Sequence, residues 1–145
     1  MPSHGSEPGI YTLILYLPST ERIAVGALGW IHFPEGFYSY TGSARGPGGL
    51  RRLDRHAAVM AGKSRTRRWH IDYLLPRCEL RQEAIAKTDL DLECCIARGI
   101  GERLESVPNF GCSDCRCPSH LHYSESEEEM KQAVLLAHAN AYALL

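Results

Sequence analysis

A chain of 145 residues, 44% hydrophobic and 23% charged, fits one globular domain with a sizeable core and leaves little room for two. Its first residues, MPSHGSEP, have neither the basic start nor the apolar run of a secretion signal, and no stretch nears the roughly 18 apolar residues of a membrane span. A soluble, cytoplasmic protein without a membrane partner is therefore expected, with residues 1–8 disordered and 9–145 forming a single domain.

In chain order, Gly9 to Leu17 (GIYTLILYL) reads as a buried strand because β-branched and aromatic residues dominate it. Arg22 to Trp30 and Phe37 to Gly42 are two further strands, and the short linkers containing Pro18 and Pro34 suit an antiparallel meander. After a loop of small residues (SARGPGG), a helix runs from about Leu50 to Met60 and stops at Gly62. Its apolar stripe is Leu50, Leu53, Ala57 and Met60; Arg52 and His56, four apart, share another face.

Trp69 to Leu75 is a short apolar element stopped by Pro76, and Glu79 to Lys87 is a candidate fourth strand. His70 and Asp72 would share a face only if the former segment were a strand. A helix over Leu90 to Leu104 places Glu93 among Leu92, Cys94, Cys95 and Ile96. The last helix, with Met130, Val134, Ala137 and Tyr142 on its apolar side, starts at Ser124, which stands three residues before Glu127 in capping-box spacing. The expected fold class is α+β, a small antiparallel sheet of three or more strands flanked by helices.

Charge is unevenly laid out despite a net of −1. Arg45, Arg51, Arg52, Arg55, Lys63, Arg65, Arg67 and Arg68 share their segment with a single acid, Asp54, whereas most acids follow Trp69. Such polarity is the footprint of a protein that touches phosphates, and equally of a solvated basic helix and loop.

Six cysteines without a secretion signal point to reduced thiols. Cys94 and Cys95, side by side in an apolar run, read as core residues. Cys112, Cys115, Cys117, His120 and His122 crowd into CSDCRCPSHLH, a Cys/His-rich loop over 112–122. Cys115, Cys117 and either Cys112 or His120 form a candidate zinc set; packing of the loop and an active-site place for Asp114 or His120 are the alternatives.

The triplet Gly9, Ile10, Tyr11, followed about thirty residues later by Tyr40, Thr41, Gly42, resembles the paired signature of the GIY-YIG nucleases. Thr41 stands where isoleucine or valine is usual. The order continues with a glycine-containing loop, Arg52, His56 one turn on, and a helical glutamate, Glu93, so the resemblance covers roughly residues 9 to 110. The chain also resembles a group of prokaryotic proteins carrying WHIDYL and SDCxC…SHL-type segments, here at 69–74 and 113–121.

The superfamily resemblance implies a metal-dependent endonuclease acting on DNA, of a structure-specific or repair type. In that reading Glu93 holds magnesium or manganese, since such ions take oxygen ligands and keep several waters. Arg52 offers a planar fork to the scissile phosphate, and His56 serves as acid, base or orienter. Tyr11 is the implied general base with Tyr40 as rival. Arg45, Arg65, Arg67 and Arg68 are candidate phosphate contacts, and Asn109 either helps to position substrate or is a plain turn residue. A catalytically silent nucleic-acid-binding module and a zinc-stabilised interaction domain are the other two functions compatible with these residues.

Overall fold

The computed structural model describes residues 4–112 and 115–143. Strand β1 (Gly9–Leu17) is buried along nearly all its length, with only Tyr16 half-exposed. A two-stranded hairpin of β2 (Glu21–Ala24) and β3 (Trp30–Phe33) follows, then β4 (Gly36–Ser43). Helix α1 (Arg52–Met60) and the one-turn α2 (Ile71–Leu74) precede β5 (Glu79–Lys87). Helix α3 (Glu93–Gly101), the short β6 (Glu105–Ser106), β7 (Leu121–Ser124) and the long α4 (Glu127–Tyr142) complete the chain. The main sheet is antiparallel with strand order β5-β1-β4-β7-β6.

Alternation along β1 divides the core in two. Tyr11, Leu13, Leu15 and Leu17 face α1 and α2 together with Phe33, Leu53, Ile71 and Phe110. Ile10 and Ile14 face the opposite side, where they pack with Ile96 and Ile100 of α3 and Met130 and Val134 of α4. A strand covered on both faces must be apolar at successive positions, which is why GIYTLILYL shows no polar alternation. β5 borders solvent, and its charged side chains suit an edge.

Two expectations need correction in this sheet. The middle strand expected over 22–30 does not join it: Gly26 and Gly29, at φ +46° and +75°, break the run into a 3-10 turn, and β2 and β3 form a hairpin of their own. β1 therefore pairs directly with β4, with no meander between them. β7, which begins in the last two residues of the expected Cys/His loop and runs on to Ser124, is the strand that pairs on β4's other side.

Element ends also move. The helix expected over 90–104 is regular only over 93–101, so Glu93 opens it. The N-cap of α4 is Ser126, whose side chain accepts from the Glu129 backbone N–H; Ser124 caps nothing and accepts instead from the Ser126 N–H. Tyr142 is exposed, away from the core. Residues 4–8 are pinned where disorder was expected: His4 Nδ1 lies 2.7 Å from Asp54, the Glu7 carbonyl accepts from Leu50 N–H and the Pro8 carbonyl from Thr88 N–H.

Thr41, the departure from the usual triplet, is fully buried opposite Thr12. The two hydroxyls are 3.0 Å apart, and Thr12 Oγ1 is 2.9 Å from Nε2 of His138 on α4. A polar side chain here is satisfied in a network that isoleucine would leave incomplete.

Candidate active site

The register of β1 and β4 sets Tyr11 opposite Gly42 and Leu13 opposite Tyr40, so both tyrosines lie on the same face of neighbouring strands. Their ring centroids are 6.4 Å apart. Gly42 is required by this geometry, because a Cβ there would sit 2.5 Å from the Tyr11 hydroxyl. Helix α1 delivers His56 behind Tyr11, its Nε2 being 2.7 Å from the phenolic oxygen. His56 is buried on one stripe with Leu53 and Val59, not on a face apart from the apolar stripe as expected.

Arg52 starts α1 and is aimed by two fixed partners. Its Nη1 donates to the Ser43 carbonyl, and its guanidinium stacks 4.8 Å above the Trp69 ring. Arg55 and Arg68 crowd the same indole at 4.3 and 5.4 Å. Asp72 holds that arrangement from beneath. Fully buried on α2, it accepts two bonds from Arg55, of 3.1 and 2.9 Å, and the backbone N–H groups of Arg68 and Trp69. Within the 69–75 segment Ile71–Leu74 is a helical turn and not a strand, and Asp72 does not share a task with His70, whose Nδ1 accepts from Gly111 N–H at 2.8 Å.

A cleft of about 400 Å³ opens over these residues, and Tyr11, Tyr40, Arg45, Arg52, Arg68 and Glu93 all line it. Glu93 reaches it from the first turn of α3, with Asp91 beside it. Arg45 is tied to the Asp89 carbonyl and lies 3.7 Å from Asp91. Arg65 and Arg67 stand on an exposed loop and do not line the cleft. Neither does Asn109, an exposed turn residue at φ +62° whose N–H donates to the Pro118 carbonyl. Turn geometry accounts for it without a substrate.

Burial governs the proton affinities. It pushes the Tyr11 phenol well above its ordinary value, with Arg52 pulling the other way, and does the same to Tyr40, where Glu93 adds to the rise. It lowers His56 to about 4, partly opposed by Asp72, so its imidazole is neutral near pH 7. The tautomer of the neutral ring sets the direction of the short bond: with the ring proton on Nδ1, the Tyr11 hydroxyl donates to His56 Nε2, the arrangement in which that nitrogen is free to take a proton.

The second wall of the cleft carries sulfur. Ligand atoms of Cys94, Cys115, Cys117 and His120 all lie within 4.8 Å of one another, and this Cys3His cluster can hold a metal ion. Cys112 is not part of it; its thiol points to the Pro118 carbonyl. Neither is His122, a buried β7 residue that burial lowers to about 4. Cys94, expected in the core, is a half-buried member of the cluster, while Cys95 is exposed. Asp114, the other candidate for the active site in this loop, lies outside the described residues.

His120 joins the cluster to the cleft, its Nδ1 lying 3.5 Å from Glu93 Oε2. Burial draws its pKa down, but Glu93 and Cys117 hold it above the ordinary histidine value. The cleft residues missed in the sequence are Ser43, Trp69, Asp91, Cys94 and Gly111. Only Cys94 carried a local signal, as a thiol directly beside the singled-out glutamate.

A family model for a domain of unknown function, DUF123, matches residues 10–143. None of the curated proteins and none of the solved structures matches the chain.

Proposed function

The chain belongs to the DUF123 family, and from the geometry of its cleft we propose that it is a magnesium-dependent endonuclease acting on DNA. The observation that carries this reading is the convergence, in one cleft, of two tyrosines, an oriented arginine and a carboxylate from four separate elements.

Each residue then has a task in phosphodiester hydrolysis. Arg52, held by Trp69 and the Ser43 carbonyl, presents its fork to the non-bridging oxygens, with Arg45 and Arg68 drawing the backbone in. The attacking water gives its proton to Tyr11 as the Tyr11 proton passes to His56 Nε2, so no free phenolate has to form. This supports Tyr11 over Tyr40, whose hydroxyl has no hydrogen-bond partner among the described residues and is left to orient water or phosphate. The imidazolium formed on His56 is countered by the Asp72 field that already opposes its burial.

Glu93 and Asp91 are hard oxygen donors at an open cleft, a set that suits magnesium and its retained waters. When bound, magnesium neutralises charge on the phosphate and the leaving oxygen. Three thiols and an imidazole suit a different ion, and we assign zinc to the Cys3His cluster.

Incubating the purified protein with labelled single-stranded, duplex, flap and junction DNA tests the reading. Cleavage of at least one substrate in magnesium or manganese, and none in chelator, is expected; cleavage of none in any metal would refute it.

A further inference from the structure

We propose that His120 couples the cleft to a zinc ion held by Cys94, Cys115, Cys117 and itself, so that zinc occupancy sets the position of Glu93. The role given to Glu93 rests on the nuclease reading, but the coupling itself does not.

The imidazole of His120 is 2% exposed, and its two nitrogens face different groups. Nε2 turns to the sulfurs, 3.5 Å from Cys115 Sγ and 3.9 Å from Cys94 Sγ. Nδ1 turns to Glu93 Oε2 at 3.5 Å and has no hydrogen-bond partner within bonding geometry among the described residues. A buried ring nitrogen left this way is costly unless something completes it. Tetrahedral zinc, with bonds of about 2.3 Å to sulfur and 2.0 Å to nitrogen, needs sulfurs about 3.8 Å apart, a small contraction of the present cluster. Drawing Nε2 onto the ion fixes the tautomer with its proton on Nδ1, which then donates to the carboxylate. A histidine ligand bonded through its other nitrogen to a carboxylate is how metal sites orient their ligands.

Two features make the link mechanical as well as electrostatic. Cys94 follows Glu93 directly, so a metal bond at Cys94 fixes the first turn of α3 from which Glu93 projects. The His120 backbone is itself clamped, its carbonyl accepting from Thr41 N–H beside Tyr40 and its N–H donating to the Phe110 carbonyl. One oxygen of Glu93 faces His120, leaving the other for the cleft.

Metal binding tests the coupling, with no need for a cleavage assay. Protein purified without chelator should hold about one zinc per chain, and less than about one-tenth would overturn the proposal. Zinc affinity by chelator competition should fall about 10- to 100-fold in Glu93→Ala, which is not a zinc ligand, and by less in Glu93→Gln, which keeps an acceptor oxygen. Equal affinity in wild type and both variants, each folded by circular dichroism, would refute the coupling. His120→Cys keeps four ligands and should give the visible absorption of tetrahedral cobalt, yet bind manganese in the cleft about tenfold more weakly by paramagnetic resonance. Unchanged manganese binding in that variant would likewise overturn the proposal. A protein that cuts no DNA yet shows these shifts would sink the nuclease reading and leave the coupling standing.

Discussion

The two walls of the cleft are built on different physical principles. The Tyr11, Tyr40, Arg52 and His56 wall rests on the larger core cluster, where the Tyr11 hydroxyl, His56 Nε2 and the Arg52 guanidinium are set by short bonds or ring stacking inside dense packing. The Glu93 wall joins the first turn of a nine-residue helix to a loop through sulfur contacts of 3.5 to 3.9 Å. Close packing preorganises the first wall from the sequence alone. At the second, thiols and an imidazole face one another without short bonds, an arrangement that a crosslinking ligand would complete.

Breaking the first wall at its proton path should have the largest effect. Tyr11→Phe or His56→Ala is expected to slow cleavage about 10²- to 10⁴-fold, the usual range for general acid–base groups. His56→Gln keeps an acceptor at the Tyr11 hydroxyl but cannot hold a proton, so it should be as slow as His56→Ala in single-turnover assays. A near wild-type rate would reduce His56 to a packing residue. Arg52→Lys keeps the charge but loses the fork and the broad stack on Trp69, with a loss on the order of 100-fold and little change in melting temperature.

Asp72→Ala probes the support under that wall. It leaves Arg55 and two backbone N–H groups without their acceptor, which should cost about 3 kcal/mol or more in denaturant unfolding.

Acid should loosen the protein as a whole. His56, His122 and His138 are each lowered to about 4 by burial, whereas an unfolded histidine titrates near about 6.5. At these three rings the unfolded chain binds more protons between those values, so their contribution to stability is complete above about pH 6.5 and drains away toward pH 4, outweighing the opposite contribution of His4 and His120, whose values are raised. Melting temperatures across pH 7.5 to about 4.5 should fall steeply; a flat profile would mean that these rings are not buried as neutral groups. The smallest effect is expected outside the cleft. Replacing Arg65 and Arg67 together by Ala should shift DNA affinity less than Arg68→Ala, which should also lower the salt slope by about one unit.

How far the sequence showed these walls follows from what holds them. β1, β4 and α1 were legible because a long apolar run and a helical period are local signals, and Tyr11, Tyr40 and Arg52 came with them. The edge strand β5 was legible too, though its charges blurred it. β7 was not, since four residues with a buried histidine, next to a cysteine-rich loop, look like more loop. Cys94 was misread for the same reason in reverse: in an apolar run a thiol looks like core, and its partners lie more than twenty positions away. The face of His56 was misread because its burial depends on Tyr11, which only the sheet brings to it.

Glu93 is where both walls meet, so single-turnover cleavage of labelled DNA by Glu93→Gln in saturating magnesium is the most direct test of the account. Gln keeps the shape and one acceptor oxygen but removes the charge proposed to hold the ion. The variant should fold, bind DNA at least as well as wild type and cut on the order of 1000-fold more slowly, at the upper end for loss of a charge-stabilising group. A folded Glu93→Gln protein that cuts at the wild-type rate would contradict the assignment of the cleft.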